Sequence, residues 1–311
     1  MPYRVLLITW WVAMMLLGAC QVTQSTSSPT LTVSPIDIGT NATEVFDASP
    51  SFTPVPTLSE ENAYLLLTDL LNTNNDCQLP CWWGITPSQS DPLVLHNTLT
   101  PLGSIADTRL LFANSGSVEI LYPKNDWVLN IVMSFEADET NELVKLIIVR
   151  AKVFPAKENV DSQDRYSAAE YHELIKMYSL SKILSVYGMP SQVLIRADIY
   201  NYTQSSDTFE TTLLYPEKGI FVRYNSLAER VGDKVYGCPS KAFVELWLLS
   251  PGDGDSYQTI LSAKDMTWEE NFPYSKSVEE ATLMSLEEFY RVFSKPTDNC
   301  LETPLNIWPE H

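Results

Sequence analysis

Between Val5 and Leu17 the chain is almost unbroken in apolar residues. That run is too short to cross a bilayer comfortably and has the length of a signal-peptide core. From 20 to 58 the pattern changes. The stretch is rich in Ser, Thr and Pro, as in Thr26-Ser27-Ser28-Pro29 and Phe52-Thr53-Pro54-Val55-Pro56, and holds no Lys or Arg. Such a segment buries too little apolar surface to offset its ordering entropy, so it is expected to be a disordered tether. Helical spacing begins next. Ser59-Glu60-Glu61 reads as an N-cap with acids in the first turn, and Tyr64, Leu67, Leu70 and Leu71 recur on one helical face.

Farther along, two stretches repeat one pattern. Leu121-Tyr122-Pro123-Lys124 precedes Trp127-Val128, and Leu214-Tyr215-Pro216-Glu217 precedes Ile220-Phe221. Upstream, Leu99 and Gly103 match Leu184 and Gly188; downstream, Leu143 to Val149 matches Phe243 to Leu249. The second copy carries a longer loop around Tyr202 to Thr208. Each copy reads as a helix, a Gly and a meander of Val-, Ile-, Leu- and aromatic-rich strands. Gly103 and Gly188 fall where a helix end favours positive φ, with Pro190 just beyond. Tyr-Pro-Glu-Lys-Gly at 215–219 reads as a hairpin turn. The predicted fold class is therefore α+β, with two tandem helix-plus-antiparallel-meander units. The expected boundaries are 1–19 signal peptide, 20–58 tether, 59–155 first unit and 156–311 second unit with a C-terminal helix opening at Ser285.

Composition narrows function. Of 311 residues 45% are hydrophobic and 19% charged, enough for a sizeable core. Asp and Glu number 39 against 20 Lys and Arg, for a net charge of −19. General nucleic-acid binding needs clustered basic residues, so no nucleic-acid partner is expected.

The end of the apolar run is chemically specific. Leu17-Gly18-Ala19-Cys20 resembles the lipobox of bacterial lipoproteins. That resemblance implies a diacylglyceryl group on the Cys20 sulfur, cleavage before Cys20 and acylation (as with palmitate) of the new amine by lipoprotein-processing enzymes. A thiolate is the nucleophile such chemistry needs. Several acyl chains make membrane attachment effectively permanent. The expected location is the extracytoplasmic face of a cell membrane.

With Cys20 assigned to lipid, Cys77, Cys81, Cys238 and Cys300 remain, and four cysteines allow three pairings. Cys77–Cys81 with Cys238–Cys300 is favoured, because the first pair is close and Pro80 stiffens its loop. Zinc is disfavoured, since Cys77 and Cys81 have no second close pair and the histidines are only His96, His172 and His311. The run Cys77-Gln78-Leu79-Pro80-Cys81-Trp82-Trp83-Gly84-Ile85-Thr86-Pro87 resembles a C-x-L-P-C-W-W-G-I-x-P signature of uncharacterised extracytoplasmic bacterial lipoproteins, with Ser88 where that pattern often has Gly. Leu180 to Pro190, Leu214 to Val222, Val235 to Pro239 and Cys300 to Trp308 are similar to that family too. The helix–Gly–x–Pro–meander units look like those of the outer-membrane assembly lipoprotein and β-lactamase-inhibitor class. Neither likeness implies an activity. Trp82 and Trp83 admit two readings: an exposed platform for a glycan or peptide, or rings packed over a disulfide in the core.

No nucleophile elbow, zinc-protease motif or P-loop occurs. His96 and His172 lack a matched nucleophile nearby. Asp253-Gly254-Asp255 lacks the ligand ladder of a calcium loop and reads as a turn. Glu269-Glu270 and Glu279-Glu280 read as solvated faces. No catalytic residue, metal or cofactor is assigned. The reading is a lipid-anchored, non-catalytic module that binds an envelope protein or glycan; the alternative is a cell-envelope hydrolase with a dispersed site.

Overall fold

The computed structural model describes residues 56–112, 115–124, 126–137, 143–156, 169–200, 207–252 and 274–308. The expected leader, Cys20 and nearly all of the expected tether, along with Asp253, Asp255, Glu269 and Glu270, lie outside them. Helix α1 (Glu60–Thr73) follows the expected face: Ala63, Leu67, Leu70 and Leu71 are buried. Ser59 stands at its N-cap position, but its side chain makes no capping bond; the helix starts on the Ala63 N–H to Ser59 O bond of 2.8 Å. Asn74 closes it in the left-handed region at φ 53°. In α2 (Pro92–Leu99), Asp91 Oδ1 accepts from Val94 N at 2.9 Å and Pro occupies the first turn.

Gly188 ends the helix Leu180–Tyr187 at φ 80°, as expected. Gly103 does not follow the same rule. Its φ is −58°, and a Cβ there would crowd Thr100 O at 3.1 Å and Thr57 Cγ2 at 3.2 Å. Size rather than handedness selects glycine at that position.

Four strands follow α2: β1 (Ala106–Phe112), β2 (Ser115–Lys124), β3 (Trp127–Ala137) and β4 (Val144–Pro155). Helices α3 (Ala169–Leu174) and α4 (Leu180–Tyr187) precede β5 (Gln192–Asp198), β6 (Thr208–Tyr215), β7 (Ile220–Val231), β8 (Lys234–Gly237) and β9 (Phe243–Leu249). Then come β10 (Lys276–Ser277), α5 (Val278–Thr282), α6 (Leu286–Phe293) and β11 (Leu301–Pro304). The fold is α+β. The antiparallel sheet runs β1-β2-β3-β4-β9-β7-β6-β5-β10, with β8 and β11 branching from β7. It continues without a break across the expected boundary at residue 155.

Alternation explains which side faces the helices. Val118 and Ile120, Ile131 and Met133, Val149 and Ala151, Val244 and Leu246, Val222 and Tyr224, and Val193 and Ile195 share one face and join the helical core. Fully burying one such side chain contributes about 2 kcal/mol. On the opposite face, Leu146, Ile148, Leu214, Phe221, Trp247 and Leu249 form a second, smaller cluster.

The chain end differs from expectation. Helix α6 does open at Ser285, whose hydroxyl accepts from Glu288 N at 3.1 Å. It is not the last element, because β11 pairs with β8 in the register Leu301↔Gly237 to Pro304↔Lys234. The Cys238–Cys300 disulfide locks that register, its Cα atoms 4.1 Å apart. Closing a loop of sequence separation 62 stabilises the fold by about 4 kcal/mol in the loop-entropy account. Glu279 and Glu280 are exposed, as expected of a solvated face, and Glu280 also completes a capping box with Ser277 at the start of α5.

The expected hairpin at 215–219 is present, as a 3-10 turn ending in Gly219 at φ 66°. A Cβ there would strike Leu249 O, whereas at Gly232 (φ 64°) it would meet nothing within 4 Å. Gly219→Ala and Gly232→Ala therefore share backbone strain, and only the first adds a collision. Urea unfolding should show Gly219→Ala to be the more destabilising by about 1–3 kcal/mol; equal losses would contradict this account of the turn.

Candidate functional site

The sequence from Asn74 to Gly84 folds into a knot of polar bonds around one amide. Asn74, Asn75 and Asp76 all have positive φ, between 53° and 56°, a region that Asn and Asp tolerate better than most residues. This reversal places the Asn74 side chain, 2% exposed, inside the following loop. Its Nδ2 donates to Cys77 O at 2.8 Å and to Cys81 O at 2.9 Å, and its Oδ1 accepts from Trp83 N at 3.0 Å. The Cys77–Cys81 disulfide closes the same loop, with Cα atoms 5.8 Å apart. Leu79 N donates to the Tyr187 hydroxyl at 2.8 Å and fastens the loop to α4.

Trp82 and Ile85 exchange backbone hydrogen bonds of 2.8 and 2.9 Å. Trp83 and Gly84 between them have φ of 54° and 89°. That is the positive-φ pair of a tight hairpin turn. The turn drives both indoles inward, where Trp82 is 2% and Trp83 1% exposed. The exposed-platform reading is thus corrected: neither ring presents a surface. Their centroids are 5.0 Å apart, and Trp82 lies 4.9 Å from the Tyr178 ring. Burial, and secondarily the neighbouring Tyr187, hold the Tyr178 phenol far above its ordinary pKa, opposed by the Trp83 indole.

Between this loop and α4 lies an open groove of about 180 Å³. Leu79, Met177, Ile183, Val186 and Tyr187 supply apolar wall, while Gln78 and Lys182 supply polar groups. The disulfide enters the wall through Cys77. Residues 182, 183, 186 and 187 are spaced to line one face of α4.

A second polar group crosses the other face of the sheet. Arg150 Nε on β4 donates to Glu245 Oε1 on β9 at 2.6 Å. Arg223 Nη1 on β7 stands 4.0 Å from Glu245 Oε2 and 3.7 Å from Glu210 Oε1. Its guanidinium lies 5.8 Å from the centroid of the Trp247 ring. On β5, Arg196 pairs with Asp198, which also accepts from Thr208 Oγ1 at 3.3 Å. Burial raises the Glu245 pKa against the opposing pull of Arg223 and Arg150. Three carboxylates face three guanidiniums, so the row ties strands together.

The remaining expected positions are dispersed. His96 is exposed on α2, with Nε2 3.4 Å from Thr100 Oγ1 of the next turn. His172 lies on α3, edge-on to Tyr171 at 5.1 Å. Asn74, Lys182 and Tyr187 were not singled out from the sequence. The Asn-Asn-Asp run before Cys77 is the signal that marks the reversal; Lys182 and Tyr187 carry no comparable signature. Comparison with protein-family models, curated proteins and solved structures gives no match.

Asn74→Ala would leave two carbonyls and one buried N–H without their partner. It should cost about 3 kcal/mol in chemical denaturation, since each unsatisfied buried group costs about 1–3 kcal/mol. A loss below about 0.5 kcal/mol would show that the loop does not depend on this amide.

Proposed function

We propose that the chain is a lipid-anchored extracytoplasmic protein whose α+β body is a non-catalytic binding module, with the groove beside Cys77 as its ligand site. The observation that carries this reading is the pairing of all four described cysteines into two disulfides, Cys77–Cys81 and Cys238–Cys300. Structural disulfides belong to oxidising compartments, which agrees with the lipobox-like motif ending at Cys20. The same corner carries the signature similar to uncharacterised extracytoplasmic lipoproteins, so membership of that family is part of the proposal.

The body is further read as two tandem units, 59–155 and 156–311. In support, the two halves run in the same order outward from the β4–β9 junction, as β4-β3-β2-β1 on one side and β9-β7-β6-β5 on the other. The repeated Leu-Tyr-Pro motifs close β2 and β6, and the matched segments at 143–149 and 243–249 contribute the two junction strands.

The test is membrane fractionation of the full chain and of Cys20→Ala expressed in a bacterium. The parent should pellet with membranes, and the variant should lose acyl label and appear in the soluble extracytoplasmic fraction. A variant that pellets and labels like the parent, or a parent confined to the cytosol, would contradict the anchor.

A further inference from the structure

The groove between the Cys77–Cys81 loop and α4 has a charge of the sign opposite to the chain's net charge. The chain as a whole carries 39 acids against 20 bases. The groove wall contains no carboxylate and one cation, Lys182. The other lysine of this region, Lys176, is tied to Glu173 at 2.6 Å. Lys182 is exposed and takes part in no ion pair among the described residues. Val186 on the wall and Met189 just past α4 are each 45% exposed.

Size narrows the ligand. A cavity of about 150 Å³ holds a benzene ring, so about 180 Å³ takes a ring or short chain with one small polar head. Apolar walls with a few placed polar groups are the usual make-up of small-molecule sites. Here the placed group is an ammonium, and on the wall it faces no competing anion.

We propose that this groove binds a small amphipathic monoanion, an apolar carboxylate of about ten heavy atoms, with its hydrocarbon part against Leu79, Ile183 and Val186 and its carboxylate on Lys182. The assignment deepens the binding-module reading and rests on it. The rigid part of the site is the loop side, where Asn74, the disulfide and the Leu79–Tyr187 bond fix the wall before any ligand arrives. Pre-formed walls lower the ordering cost of binding.

The probes are phenylacetate and its neutral isostere phenylacetamide, titrated calorimetrically into the full chain held in nanodiscs. Phenylacetate should bind at one site and more tightly than the amide. Lys182→Gln, a change at an exposed position, should weaken phenylacetate by about fivefold and leave the amide unchanged. Val186→Trp, which fills the groove from its exposed side, should abolish binding of both. Equal affinity for acid and amide, no binding of phenylacetate, or binding indifferent to both variants would each overturn the proposal. None of these outcomes bears on membrane attachment, so failure of the ligand assignment is distinct from failure of the anchor.

Discussion

The pairing of β4 with β9 holds the described body together. These strands pair over six residues in a single ladder, from Leu146↔Leu249 to Ala151↔Val244. On one face Ile147, Val149 and Ala151 meet Leu248, Leu246 and Val244 and enter the helical core. On the other, Ile148 meets Trp247 and Arg150 meets Glu245. Both strands are therefore covered on two sides, and this is why 143–149 and 243–249 read as almost continuous apolar runs rather than as alternating ones. Separating them would expose two long apolar edges at once.

Neither disulfide joins β4 to β9 directly. Cys238–Cys300 staples the β8–β11 branch, and Cys77–Cys81 shapes the loop that packs against α4. Their contributions differ with loop length: about 4 kcal/mol for the long closure and about 2 kcal/mol for the short one in the loop-entropy account. The short bridge matters more for shape. It works with Asn74 and Tyr187 to hold one wall of the groove. The ion row on the opposite sheet face plays a different part, since Arg150–Glu245 and Arg223–Glu210 fix register across β4, β9, β7 and β6.

Much of this was legible in the sequence where local chemistry decides the outcome. The face of α1, the stop at Gly188, the turn at Gly219 and both disulfides follow from periodicity, backbone preference and cysteine spacing. Ser88 stands at φ 61°, in the left-handed region that glycine favours. Readings failed or stayed open where tertiary contact decides. Gly103 is small because Thr57 and Thr100 crowd it. Glu280 keeps the solvated position expected of it, and its capping role was not legible because the helix of five residues is too short to stand out as a periodic segment. Trp82 and Trp83 are buried by a turn whose direction depends on Asn74, nine residues before the N–H it accepts. The groove is least legible of all, because its walls come from two segments distant in sequence, joined by the Leu79–Tyr187 bond of sequence separation 108.

Native-state hydrogen exchange across β4 and β9 tests the central claim most directly. If their pairing unites the body, amides of β3 and β4 and those of β7 and β9 exchange through one global opening, with a shared free energy and denaturant dependence. Two distinct opening free energies, one for 106–155 and another for 192–249, with the β4–β9 amides following the weaker, would contradict it.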